Sequence, residues 1–114
     1  METFGIDIQD KAVFLTLCGE ITLEVTSDLK KKVDAALRSA DFEVLVANMG
    51  EITFMDSSGI GFLVALNTRV MGMGKKMFLF MPSEQVTKTL ELVQLNDFFH
   101  TLEHEDDLTA VLPI

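Results

Sequence analysis

Between Phe54 and Phe62 the chain reads FMDSSGIGF: a carboxylate, two adjacent hydroxyls and two glycines set between large apolar side chains. Two kinds of chemistry use such a set. A Ser or Asp at the start of a helix accepts hydrogen bonds from backbone N–H groups that have no partner within the helix. A serine at the same place can also carry a phosphoryl group, because the positive end of the helix stabilises added negative charge. Acyl-transfer chemistry is disfavoured by the spacing. A nucleophile elbow reads G-x-S-x-G; here no glycine stands two residues before Ser57, and Asp56 stands two before Ser58. A triad would also need a histidine, and the chain has two, His100 and His104, both late.

Other chemistry-bearing residues carry less. GMGKK (Gly72–Lys76) resembles part of a phosphate-binding loop, but no Ser or Thr follows the lysines. It also precedes a strand-like run, whereas a phosphate loop must open a helix. His100 and His104 are four residues apart with no evident third ligand, so they read as surface histidines and no metal site is expected. Cys18 is the single cysteine and lies in an apolar run. It can form no internal disulfide and is expected to be a small buried hydrophobe.

To position Asp56 and Ser57 the chain needs a strand before them and a helix after. Its 114 residues suit one domain, residues 1–114. With 48% hydrophobic and 24% charged residues it can fill a core, which excludes a disordered tail. A net charge of −9 disfavours nucleic acid and anionic lipid, whose phosphates would be repelled, and suits a partner with a basic surface. No basic-then-apolar leader opens the chain, and no apolar run approaches the about 20 residues a membrane span requires. The expectation is a cytoplasmic domain with no membrane insertion, no cofactor and no small-molecule substrate.

Alternation at Phe4, Ile6 and Ile8, the turn residues QDK, and then AVFLTLCG predict an N-terminal hairpin. From GEITLEV onward the period becomes helical: Val25, Leu29, Val33, Ala36 and Leu37 form one stripe, with Thr22 or Thr26 as its cap. FEVLVANM is a continuous apolar run, suited to a central strand covered on both faces. GEITFMDSS is expected to link it to a helix that ends near Gly72 and Gly74. KKMFLFM predicts a strand, SEQVTKTLELV a helix capped by Ser83 and buried along Val86, Leu90 and Val93, LNDFFHTL a short edge strand, and EDDLTAVL a last helix. Strands alternating with helices predict parallel pairing through right-handed crossovers.

Winding the helix after Asp56 at about 3.6 residues per turn puts Ile60, Leu63, Val64, Val70 and Met71 on a core side, with Asn67 toward it. Ser57, Ser58, Gly61, Ala65, Thr68, Arg69 and Gly72 fall on a second side, small or polar throughout, with Phe62, Leu66 and Met73 flanking it. Glycine costs a helix about 1 kcal/mol against alanine, so Gly61 invites a reason. Close approach by a partner is one; tight packing within the domain is the other.

FMDSSGIG, with GEIT (Gly19–Thr22) some thirty-odd residues upstream, resembles the bacterial anti-sigma factor antagonists, which are single STAS domains (sulphate transporter and anti-sigma antagonist). The resemblance spans essentially the whole chain. It implies an α/β, STAS-like fold: a mixed, mostly parallel sheet of four to five strands with an N-terminal β-hairpin and about four helices. It implies a non-enzymatic protein–protein switch in which Ser57 is the phosphoacceptor. Its partners would be an anti-sigma factor with serine kinase activity, held while Ser57 is unphosphorylated so that a sigma factor is freed, and a PP2C-type phosphatase. Glu20, Thr22, Asp56, Ser58, Gly59, Gly61, Phe62, Ala65 and Arg69 would form the partner-binding surface. One departure stands out: the family commonly has Asp where this chain has Thr22, which puts the partner's identity in question but leaves the acceptor hydroxyl. A different implication is a non-switching STAS subunit of a lipid-transport ATPase or signalling assembly, with Ser57 only a helix cap. A small enzyme is a third possibility, against which stands the lack of a base–nucleophile pair.

Overall fold

The computed structural model describes residues 3–113. The chain runs β1 (Phe4–Gln9), β2 (Ala12–Ile21), α1 (Leu23–Ser39), β3 (Val44–Met55), α2 (Ser57–Gly72), β4 (Lys76–Phe80), α3 (Glu84–Leu92), β5 (His100–Leu102) and α4 (Glu105–Val111). The five strands lie in the sheet in sequence order, β1 antiparallel to β2 and every other pair parallel. Right-handed crossovers between successive neighbours put all the crossover helices on one face. Leu29 and Val33 of α1, Leu63 and Val70 of α2, and Val86 and Leu90 of α3 accordingly share one core with Leu17, Leu45 and Leu79 of the sheet. A smaller cluster fills part of the other face, where Leu108 and Val111 of α4 pack against Val44, Val46, Phe80 and Leu102. Val44 to Ala47 are therefore all buried, as a strand covered on both faces requires.

Two strands run further than their composition suggests. Glu20 and Ile21 extend β2, and Gly50–Met55, expected as a connection, extend β3 to 12 residues. The two extensions pair with each other: Gly19 lies opposite Ile52 and Glu20 opposite Phe54, which leaves Thr53 as an extra residue. Such a bulge bends its strand and increases the local twist. Ile52 and Met55, three apart, both enter the helical core. The polar residues of these segments thus belong to a paired edge of the sheet that aims the chain into α2.

Local chemistry sets the other boundaries. Asp10 and Lys11 both have positive φ (49° and 68°), the conformation of a two-residue hairpin turn that matches strand twist. Helix α2 ends at Gly72, and the chain leaves it through Gly74, whose N–H donates to the Met71 carbonyl and whose φ of 76° turns the Lys75 N–H onto that of Val70. Ser83 caps α3, its side chain accepting the Val86 N–H. Val93, expected on the buried face, is the exposed C-cap, because α3 ends at Leu92. Thr22 occupies the N-cap position of α1 without a side-chain bond; Thr26 is buried and donates to the Leu23 carbonyl. Cys18 is half-buried and not fully enclosed. Among the described residues, no helix is long and apolar enough to cross a membrane.

Candidate functional site

Strands β2 and β3 end side by side, and a helix begins just beyond each. Asp56 joins these ends. Its Oδ1 accepts the Gly59 N–H at 3.1 Å, capping α2. Its Oδ2 accepts the Leu23 N–H at 3.3 Å, thirty-three residues away at the start of α1. Its own N–H donates to the Ile21 carbonyl. One carboxylate therefore satisfies an unpaired N–H at two helix N-termini, where negative charge is also favoured by both dipoles. Of the two cap candidates, Asp56 and Ser57, the cap is Asp56.

Ser57 is the first residue of α2 and is exposed. Among the described residues nothing hydrogen-bonds its hydroxyl, so the group is presented to solvent at a positive helix end. Gly59 is buried under it. A Cβ there would come within 2.6 Å of the Met55 Cγ and 2.8 Å of the Ile21 carbonyl oxygen, so only glycine lets α2 seat on the strand ends. Gly61 is exposed, and a Cβ there would meet nothing within 4 Å. Packing inside the domain does not account for Gly61.

The small or polar side of α2 is outward as its spacing indicates: Ser57, Gly61, Ala65, Thr68 and Gly72 are exposed, Ser58 and Arg69 half-buried. The core side is rotated from expectation. The buried stripe is Gly59, Phe62, Leu63, Leu66, Asn67 and Val70, while Ile60 and Val64 are half-buried and Met71 is 54% exposed. Phe62 and Leu66, expected as partly exposed flanks, turn inward because α2 packs against α1 as well as on the sheet. Asn67 enters the core as read; its Nδ2 approaches the Met71 Sδ and its Oδ1 has no partner among the described residues.

Helices α1 and α2 diverge above this packing to leave a groove of about 540 Å³. Ser58, Gly61, Phe62, Ala65, Leu66 and Arg69 line one side, and α1 supplies the other from Leu23 to Asp34. The Arg69 guanidinium pairs with the Asp34 carboxylate across it. Five of the candidate partner-binding residues, Ser58, Gly61, Phe62, Ala65 and Arg69, thus meet on one concave surface. Asp56 and Ser57 stand at its head, Glu20 and Thr22 lie on the neighbouring strand end, and Gly59 lies beneath the surface, where it shapes the site from within. Sequence reasoning passed over Leu23, which is 69% exposed at the groove's rim. Its place off the Val25–Leu29–Val33 stripe is the signal that marks it.

A model of the STAS domain matches residues 4–108. The chain belongs to the STAS domain family. It is similar to the anti-sigma F factor antagonist of Lysinibacillus sphaericus, with 22% identity over 101 residues that cover 89% of this chain and 86% of the relative. Among solved structures, the anti-sigma factor antagonist SpoIIAA in its unphosphorylated form aligns over 95% of both chains with a TM-score of 0.80 and 21% identity. The Bacillus cell fate determinant SpoIIAA in its phosphorylated form aligns over 95% of this chain and 98% of its own, with a TM-score of 0.74 and 20% identity. The five-stranded mixed sheet and four helices of this STAS domain are those of the SpoIIAA-like fold.

Proposed function

We propose that this STAS domain is an anti-sigma factor antagonist, a binding protein and not an enzyme, switched by phosphorylation of Ser57. The observation that carries the reading is the exposed Ser57 hydroxyl at the first residue of α2, in a turn held by the Asp56 carboxylate and beside an open face of small residues. Its relatives support it: one is named an anti-sigma F factor antagonist, and SpoIIAA has a phosphorylated form. The unphosphorylated face, from Ser57 and Ser58 along Gly61, Ala65 and Arg69, docks an anti-sigma factor that is also a serine kinase, and a sigma factor is freed. A PP2C-type phosphatase restores the docking form.

Phosphate adds about −1.5 to −2 charges at a hydroxyl adjacent to Asp56. Docking would desolvate that charge next to a carboxylate that already serves two backbone N–H groups. A loss of about 3 kcal/mol weakens binding about a hundredfold, at about 1.4 kcal/mol per tenfold. The fold need not change. Thr22 removes from this rim the carboxylate common in the family, so the partner's contact there is not a salt bridge to residue 22. Titration of the anti-sigma partner onto Ser57→Asp and Ser57→Ala tests the charge mechanism. The account expects at least tenfold weaker binding for Ser57→Asp and near wild-type binding for Ser57→Ala; equal affinities would sink it.

A further inference from the structure

The α1–α2 groove has features of a small-molecule site that the docking reading does not use. Its volume of about 540 Å³ falls within the roughly 300–1,000 Å³ typical of ligand pockets. Val33, Phe62 and Leu66 give it an apolar floor, and the missing side chain at Gly61 leaves the middle open. Ser58 and Arg69, at its two ends, are separated by about 16 Å of helix at about 1.5 Å per residue, so the space is long and suited to a single extended chain. Three charged residues line it: Lys30, Asp34 and Arg69. Asp34 and Arg69 neutralise each other, whereas Lys30 makes no ion pair among the described residues. The groove therefore holds one uncompensated cation beside an apolar floor, with the hydroxyls of Ser27 and Ser58 nearby.

We infer that this groove binds a single-chain amphiphile with a singly charged anionic head, of which a long-chain carboxylic acid is the simplest. The chain covers Val33, Phe62 and Leu66, and the carboxylate meets the Lys30 ammonium. Lys30 is exposed; its ammonium would repel a cationic head, and a neutral head would gain no charge attraction from it. The net charge of −9 opposes any anion at long range, but exposed charges beyond about 8 Å are largely screened at physiological ionic strength, and the local ammonium decides. Since Ser58, Gly61 and Ala65 line the groove and also belong to the proposed docking face, an occupied groove would obstruct the partner. That consequence rests on the docking reading; the binding itself does not.

Laurate, dodecanol and dodecyltrimethylammonium, each below its aggregation threshold, are titrated onto the full chain while backbone amide shifts are followed. The expected result is saturable laurate binding with the largest shifts at Gly61, Ala65 and Lys30, and affinity for the cationic analogue at least tenfold lower. Lys30→Glu should weaken laurate at least tenfold. Gly61→Leu, whose Cβ would meet nothing within 4 Å and whose longer side chain would occupy the groove, should abolish binding without unfolding the protein. Absence of saturable laurate binding would overturn the inference and leave the groove to a partner's side chains. Equal affinity for the three probes, or undiminished binding to Gly61→Leu, would overturn it as well.

Discussion

Gly59 and Gly61 stand two residues apart in the first turns of α2, and the helix turns them to opposite environments. Gly59 faces inward, where a Cβ would press on Met55 and on the backbone oxygen of Ile21. Gly61 faces outward into open space at the groove. The same residue type thus does two different things in one short motif. The first glycine fixes how closely α2 sits on the sheet, and so where Asp56 and Ser57 are held. The second leaves a helix surface without a side chain, which the domain's own packing does not require. A motif read as one functional unit separates into a structural half and a surface half.

Substitution at both positions sharpens the contrast. Gly59→Leu should be the most damaging change, because a backbone carbonyl cannot move aside as a side chain can; overpacking of this kind costs about 3 kcal/mol or more. Asp56→Ala comes next. It removes an N-cap, typically worth about 1 kcal/mol, and a second charge-assisted bond to the Leu23 N–H, for a combined loss of about 2 kcal/mol. Thr22→Ala, whose side chain makes no cap bond, is the control and should stay within about 0.5 kcal/mol. Gly61→Leu should act in the opposite direction, stabilising by up to about 1 kcal/mol through helix propensity. Urea unfolding of the four variants checks all of these. Equal losses for Gly59→Leu and Gly61→Leu would contradict the division between the two glycines.

The α/β alternation, the hairpin and the strand-to-helix position of DSSG were legible because they depend on local periodicity and turn chemistry. Features that depend on distant partners were not. The Asp56–Leu23 bond joins residues thirty-three apart, and only the parallel pairing of β2 with β3 brings them together. The polar segments around Gly19 and Gly50 look like connections alone and become strands by pairing with each other. The helical wheel of α2 showed which residues share a side. It did not show how far the buried arc would rotate toward α1, and so misplaced Phe62, Leu66 and Met71. Gly59 and Gly61 look alike as letters, and only the nearness of Met55 and Ile21 to the first separates them.

The central claim is that Ser57 is the residue modified. Incubation of the protein with its anti-sigma kinase and ATP, followed by peptide mass spectrometry, locates the phosphate. The account predicts a single phosphate on Ser57 and none on the Ser57→Ala variant. Phosphate on Ser58 or elsewhere, or modification that persists in Ser57→Ala, would contradict it.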